Sequence, residues 1–539
     1  MFSGMRELEN PSMKPTMSAA LGVFAVLGAA IAVLPSTATA GDPPTRPNVV
    51  FILADDIGYG DVGCYGAKLV QTPNIDRLAS HGRRFTDVHT PASTCTPTRY
   101  GLMTGQYAWR NKAGSAILPG DAALSIAPGS QTLPATFHRA GYATGIVGKW
   151  HLGLGEKESG IDWNGDIKPG PLECGFDYAF YYPATGDRVP CVFVEGRRVV
   201  GLDPRDPIQV SYKEKVGDEP TGREHPELLS LKPTHGHDQT IVNGISRIGF
   251  MAGGKSARWV DENLCDNLVK KGVEFIEQNQ DKPFFLYFAT HDIHVPRVPH
   301  PRFRGKSQCG TRGDAIVELD SAVGDLMATL DRLHLTDHTL VIFTSDNGGI
   351  MDDGYEDVGS FEHPCNGILR GHKGTLFEGG NRVPFIARQS GVIKAGAESG
   401  EMFSLLDMEA TFAAMLGQKL DAAAAPDSFN ALPALLGTGN GAPIRDQLVM
   451  QNGGTQGPFA IRQGNWKLIQ YGGGANKAGG YGPNGDIFAG IKDLAPGPLL
   501  FDLSKDITES QNLAGANPEK VAELKALLAR VQEQGSTRF

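Results

Sequence analysis

The sequence predicts an α/β fold: a large mixed, mostly parallel central sheet flanked by helices, followed by a smaller C-terminal α+β subdomain. Three observations predict it. Four short apolar runs, at 49–53, 144–147, 284–288 and 340–343, are continuous rather than alternating, as in strands buried on both faces. Amphipathic stretches separate them, at 131–140, 264–278 and 313–333. After residue 440 the pattern changes to a hairpin signal at 460–469, a strand signal at 499–503 and a helix at 518–533 with Val521, Leu524, Leu527 and Leu528 on one face.

The elements define three stretches. Residues 1–40 read as a signal peptide: Lys14 precedes an apolar run at 19–34, and Ala38-Thr39-Ala40 is a small-residue cleavage signal. Residues 41–440 read as a catalytic domain and 441–539 as a C-terminal subdomain with a small antiparallel sheet and terminal helix. The apolar run has the length of a signal core and is short for a membrane span. The expectation is a periplasmic or secreted protein without stable membrane insertion after cleavage. Segments 152–262 and 350–400, rich in Gly, Pro and charge, read as long loops around a pocket, and 422–426 as a surface loop.

Composition narrows the function classes. The 539-residue chain has a net charge of -10, which argues against a general nucleic-acid binder. An anionic substrate would need locally concentrated positive charge. The seven cysteines (64, 95, 174, 191, 265, 309 and 365) show no C-x-x-C pair, so a thiolate zinc site is not expected. An odd count leaves at least one unpaired, and the six besides Cys95 allow up to three disulfides.

Each strand run is followed by chemistry. The first ends in Asp55-Asp56, the second in Lys149-Trp150-His151, the third in His291-Asp292-Ile293-His294 and the fourth in Asp346-Asn347-Gly348-Gly349. In an open, mainly parallel sheet the carboxyl ends of the strands share one edge, where ligands bind. Asp55, Asp56, Asp346 and Asn347 supply hard oxygen ligands, which suit Ca²⁺, with Mg²⁺ as the alternative. The segment 95–105 has Thr and Pro suited to a helix's first turn and Gly105 suited to its end. Cys95 would then sit at a helix N-terminus with Arg99 one turn on, an anion site with a polarised thiol; the alternative is a buried or disulfide-bonded cysteine.

Cys95-Thr96-Pro97-Thr98-Arg99 with Gly101-Leu102-Met103-Thr104-Gly105 resembles the C-x-P-x-R signature of the formylglycine-dependent sulfatases. Gly148-Lys149-Trp150-His151-Leu152-Gly153 resembles that family's second signature, and 47–56, 344–349 and 377–384 are similar to its remaining landmarks in the right order. The resemblance implies an alkaline-phosphatase-like fold and an arylsulfatase-type sulfuric ester hydrolase. It implies conversion of Cys95 to formylglycine by a formylglycine-generating enzyme, and a divalent cation on Asp55, Asp56, Asp346, Asn347 and the modified Cys95. In that family's mechanism one hydroxyl of the hydrated aldehyde attacks sulfur, with Asp346 a candidate proton acceptor. His291 would protonate the leaving oxygen, Lys373 would neutralise sulfate, Lys149 and Arg99 would stabilise the hydrate, and His151 would deprotonate the second hydroxyl to expel sulfate. The expected substrate is a sulfated sugar or polysaccharide, with aryl sulfates as the other choice. His294, Arg297 and His372 are candidate substrate contacts.

The chain departs from the family pattern at His372, where Gly is usual, and in lacking an obvious pocket Ser, for which Thr185 is the candidate. Two alternatives stand beside the sulfatase reading. A phosphatase or phosphodiesterase of the same superfamily typically uses Thr or Ser and often two zinc ions with several His ligands. A non-catalytic sulfated-glycan binder would have lost its nucleophile or metal ligands.

Overall fold

The computed structural model describes residues 46–471 and 497–538, apart from 235, 358, 360, 361 and 422. The expected signal segment therefore lies outside the described residues. Residues 46–539 group as one compact unit.

The main sheet has ten strands. In chain order these are β1 (Asn48–Ala54), β2 (Arg83–Phe85), β3 (Ala143–Lys149), β4 (Tyr178–Tyr182), β5 (Val194–Glu195), β6 (Arg198–Val199), β7 (Phe284–Ala289), β8 (Thr339–Ser345), β9 (Phe385–Arg388) and β10 (Ala397–Ser399). Their spatial order is β10-β2-β9-β8-β1-β7-β3-β4-β5-β6. The core of the sheet, β8-β1-β7-β3-β4, is wholly parallel, and antiparallel pairs occur only towards the two edges. All four expected strands are present, and every residue of β1, β7 and β8 is buried, which explains their unbroken apolar runs. Phe51 sits between Tyr287 and Ile342 in register, so β1 is the sheet's axis.

Helices cover both faces. They include α1 (Cys95–Thr104), α2 (Leu133–Arg139), α3 (Leu264–Gln278), α4 (Gly310–Arg332) and α5 (Met408–Met415). α2 begins where Thr132 accepts a hydrogen bond from the Ala135 N–H, and it seals the sheet by stacking Phe137 on Phe285 with ring centroids 4.1 Å apart. α4 turns Ile316, Leu319, Val323, Leu326 and Leu330 inward, as its periodicity predicts.

The C-terminal sheet is antiparallel and four-stranded: β11 (Gln447–Gln451), β12 (Phe459–Gln463), β13 (Trp466–Tyr471) and β14 (Gly497–Asp502). Helix α6 (Pro518–Glu533) packs on it through Val521, Leu524, Leu527, Leu528 and Val531. The same apolar cluster takes in Tyr107, Trp109, Leu376, Phe377 and Leu406 from the larger part. A buried ionic network reinforces this junction. Lys467 on β13 lies 2.8 Å from Glu378 and 2.9 Å from Glu509, and Glu378 also holds Arg382 at 2.6 Å and His89 at 3.0 Å.

Several loop expectations are corrected. Segment 152–262 contributes β4, β5 and β6, and 350–400 contributes β9 and β10, so neither is only rim. Their strands are short, and the surrounding Gly and Pro masked them. In the 422–426 stretch Ala425 is buried, because Gly105 at the end of α1 packs against it; a Cβ on Gly105 would lie 2.5 Å from the Ala425 Cβ. All seven cysteines are free thiols, so the disulfides allowed by the count do not form.

Candidate active site

The carboxyl ends of the parallel strands converge. Backbone hydrogen bonds continue past the strand ends and lock the following residues together: Asp55 N–H donates to Asp292 O (3.1 Å), Ile293 N–H to Asp55 O (2.7 Å), Asp346 N–H to Ala54 O (3.2 Å) and His151 N–H to Pro183 O (3.1 Å). Gly148 in β3 has φ +114°, and a Cβ there would strike the Ala289 carbonyl of β7 at 1.8 Å, so this close approach requires glycine. Helix α1 enters the same edge with Cys95 as its first residue and Gly105 in the left-handed conformation closing its end. All ten residues of α1 are buried.

The charged side chains interlock. Arg99 donates from Nε (3.0 Å) and Nη2 (2.7 Å) to Asp346 Oδ2 and lies 3.7 Å from Asp55. Lys149 Nζ donates to Asp55 Oδ2 at 2.6 Å and is 4.0 Å from Asp346. Lys373 Nζ donates to Asp56 Oδ2 (2.8 Å) and Asp353 Oδ2 (2.7 Å). Asn347 Nδ2 donates to Asp56 Oδ1 at 2.7 Å. Asp55, Asp56, Arg99, Lys149, Asp346 and Asn347 have no exposed surface. Asp56 (φ +65°) and His151 (φ +54°) adopt left-handed backbone conformations, each of which costs about 1–3 kcal/mol for a non-glycine residue and is held here by these partners.

The environment sets protonation states. Burial pushes the Asp55 carboxyl well up, against the pull of Lys149. Burial also opposes ionisation of Asp56, but Lys373 and Lys149 outweigh it and hold that carboxylate low. Burial pushes the Cys95 thiol up despite Lys149 and Lys373. Burial thus opposes the polarisation that the helix N-terminus alone would give the thiol.

Three histidines are held neutral, two of them with one buried nitrogen unpartnered. His151 Nε2 donates to Leu118 O (2.9 Å), leaving buried Nδ1 without a partner, and burial with Lys149 and Arg188 drives its pKa well below 6.5. That nitrogen is a ready proton acceptor. His291 Nε2 faces Pro296 O at 3.4 Å and its Nδ1 is unpartnered; burial lowers its pKa, opposed by Asp292. To act as an acid, His291 must take up its proton against that burial. His294 Nδ1 donates to Val295 O (2.8 Å), which turns Nε2 towards Asp56 and Asp353, each 3.9 Å away.

The residues fit a hard cation. Asp55 Oδ1 and Asn347 Oδ1 are buried oxygens without a hydrogen-bond partner, an arrangement that is costly unless something electropositive meets them. Asp55, Asp56 and His294 each offer a ligand atom within 4.8 Å of one another. His294, expected at the substrate, thus stands with Asp55 and Asp56. Asp346 also belongs to the cluster, but its Oδ2 carries both Arg99 hydrogen bonds. Arg297, expected to reach substrate, is instead a clamp: it binds Asp357 at 3.1 Å and the carbonyls of Ile293, Met351 and Ile350. His372 is buried, with Nδ1 donating to Lys373 O at 2.7 Å, so it is not a surface residue.

Sequence reasoning singled out Thr185 but missed the fifth strand end that carries it. β4 is followed by Thr185-Gly186-Asp187-Arg188, and a Cβ on Gly186 would lie 2.4 Å from the His291 ring. Asp187 bonds His237 Nε2 at 2.9 Å, and Arg188 Nη1 donates to Thr185 Oγ1 at 2.7 Å. The signal was available: the aromatic run at 178–182 ends in polar residues like the other four strands. Asp353, the second partner of Lys373, lies in an irregular stretch with no periodic signal.

Comparisons with known proteins agree with this geometry. A family model described as Sulfatase matches residues 47–418. An N-acetylgalactosamine-6-O-sulfatase of Bacteroides thetaiotaomicron is 49% identical over 497 residues, covering 91% of this chain and 94% of its own. Human arylsulfatase A is 34% identical over 501 residues, covering 92% and 89%. A solved structure from the metabolism of multiple glycosaminoglycans by Bacteroides thetaiotaomicron superposes with a TM-score of 0.85 at 48% identity, covering 91% of this chain and all of that one.

Proposed function

The chain belongs to the sulfatase family and is a sulfuric ester hydrolase, and from that premise we propose that it removes a 6-O-sulfate from an N-acetylgalactosamine-type sugar of a sulfated glycan. The observation that carries the reaction is the cluster of Arg99, Lys149 and Lys373 interlocked with Asp55, Asp56 and Asp346 around the N-terminus of α1. The sugar rests on the Bacteroides relative's named activity at 49% identity.

The account includes conversion of Cys95 to formylglycine by a generating enzyme, and export to the periplasm or medium directed by residues 1–40. Asp55, Asp56 and Asn347, with Asp346 or His294, would hold a divalent cation, Ca²⁺ or Mg²⁺. When present, that cation would lower the pKa of the attacking hydroxyl and draw charge from the sulfate.

Charge balance supports this reading. With Asp55 ionised, as cation binding would require against its burial, Arg99, Lys149 and Lys373 face four carboxylates, Asp55, Asp56, Asp346 and Asp353, leaving one net negative charge. A divalent cation reverses it to one positive charge, which a sulfate monoester monoanion neutralises. Lys149 and Arg99 stabilise charge developing beside residue 95. His151 Nδ1 accepts the proton whose removal releases sulfate, and His291 and Lys373 serve the leaving oxygen. Arg188, two residues after the Gly186 that packs on His291, is only half-buried and is a donor suited to sugar hydroxyls.

The test is sulfate release from a panel: 6-O-sulfated N-acetylgalactosamine, its 4-O-sulfated isomer, 6-O-sulfated glucosamine and an aryl sulfate. The proposal expects turnover of the first at least ten-fold above the other sugars. Release from the aryl ester alone would refute the sugar assignment.

A further inference from the structure

We infer that a cavity at the opposite end of the main sheet from the active site binds a tetrahedral oxyanion, such as sulfate or phosphate, on the guanidinium of Arg388. The cavity measures about 660 Å³ and is lined by His81, Arg388, Ser390, Val392, Ile393 and Lys394. Arg388 is the last residue of β9, which runs antiparallel to β8, and it pairs with Val341 near the start of β8. The active-site residues Asp346 and Asn347 follow the other end of β8.

Arg388 is the anomaly that points to a ligand. It is only 8% exposed, yet its Nε is buried without a hydrogen-bond partner, and its side chain makes one bond, from Nη2 to Ser390 Oγ at 3.2 Å. Every other buried arginine among the described residues, Arg99 and Arg312 included, lies within ion-pair distance of a carboxylate. Arg388 has no such partner among the described residues. A buried guanidinium without a counter-charge is unfavourable, and burial accordingly pushes its pKa down, with Asp331 and Asp337 opposing only in part and Arg77 adding to it.

The lining says what the missing counter-charge is. A guanidinium fork, the Lys394 ammonium, the Ser390 hydroxyl and the His81 imidazole are donors arranged around one space, the combination that holds an oxyanion. His81 and Lys394 are exposed at its rim, so an anion can enter from solvent. The chain as a whole carries -10, so attraction of an anion here is local rather than general. The anion can come from free inorganic sulfate or phosphate, or from a sulfate on a longer glycan chain.

Selenate provides a direct probe. In crystals of the full chain, the anomalous signal of selenium is expected at Arg388 in wild type and absent in Arg388→Gln. Selenate found only at the catalytic edge would overturn the inference. Thermal unfolding supplies a second readout. Arg388→Gln should be more stable than wild type in chloride, because an unpaired buried charge is removed, and should gain less from sulfate at equal ionic strength. A variant less stable in chloride, with an unchanged gain from sulfate, would mark Arg388 as structural and overturn the inference. Lys394→Gln, at an exposed position, should weaken selenate binding about ten-fold. KM then separates the sources. A rise of about ten-fold in Lys394→Gln for a long sulfated oligosaccharide, with none for a sulfated monosaccharide, identifies glycan sulfate; unchanged KM with selenate bound identifies the free ion.

Discussion

Replacing Asp61 by Asn tests how the turn after β1 is held. Asp61 is fully buried and accepts four hydrogen bonds: from Arg312 Nη1 (2.6 Å) and Nη2 (2.7 Å), His363 Nε2 (2.7 Å) and the Gly58 N–H (2.7 Å). The last of these ties down the loop that leaves Asp55 and Asp56. Burial opposes its ionisation, but Arg312 and His363 more than offset that, taking the pKa from 3.8 to about 2. At about 1.36 kcal/mol per unit, this alone corresponds to about 2 kcal/mol of stability. Asn additionally strands the Arg312 charge, and breaking a buried pair costs about 3–5 kcal/mol. The expected loss is therefore about 2–5 kcal/mol at neutral pH.

The sign follows from the lowered pKa. The Asp61 contribution is complete above the unfolded value of 3.8 and disappears as pH falls through about 2. Urea unfolding midpoints of wild type and Asp61→Asn, measured from about pH 7 to about pH 3, should differ most at the neutral end, with the gap narrowing towards the acid end. Equal midpoints at neutral pH, or a gap that persists undiminished in acid, would refute the reasoning.

Three further outcomes are expected. Chelation of divalent cations should abolish turnover, Ca²⁺ or Mg²⁺ should restore it, and Asn347→Ala should raise the cation concentration needed by about ten-fold or more, read by titrating metal back into the stripped enzyme. Lys467→Met leaves Glu378 and Glu509 buried without their shared cation and should cost about 3–5 kcal/mol, read by chemical unfolding; a loss below about 1 kcal/mol would contradict the network's role. His151→Ala removes the bare Nδ1 and should slow sulfate release by about 100-fold or more, so that intact-protein mass spectrometry of enzyme mixed with substrate shows an added sulfate.

Much of the architecture was legible because burial on both faces writes itself into sequence. β1, β7 and β8 could hardly be other than central parallel strands, and the polar residues after them could be assigned to one edge before any coordinates. Short edge strands were not legible. β5 and β6 have two residues each and β10 has three, too few for a period to show. β4 is long enough, but its Tyr- and Phe-rich run was absorbed into a stretch dominated by glycine, proline and charge, and Asp187 and Arg188 were lost with it. The candidate site was legible in its residue types rather than in its pairings. Sequence spacing identified Arg99 and Asp346 separately; that Arg99 occupies Asp346 Oδ2 with two donors, and that His294 turns Nε2 to Asp56, are consequences of packing. Arg297 shows the converse: a cation three residues after His294 in sequence is spent on Asp357 and three carbonyls, which only tertiary structure decides.

The account depends above all on residue 95. Burial raises the Cys95 thiol and so favours its protonated form, whereas its aldehyde hydrate needs no thiolate. Peptide mass mapping of the segment containing Cys95, on active protein from its native host, tests this most directly. The account predicts formylglycine at position 95, with the sulfur replaced by an aldehyde oxygen, and activity in proportion to the modified fraction. Full activity with Cys95 entirely unmodified would contradict it.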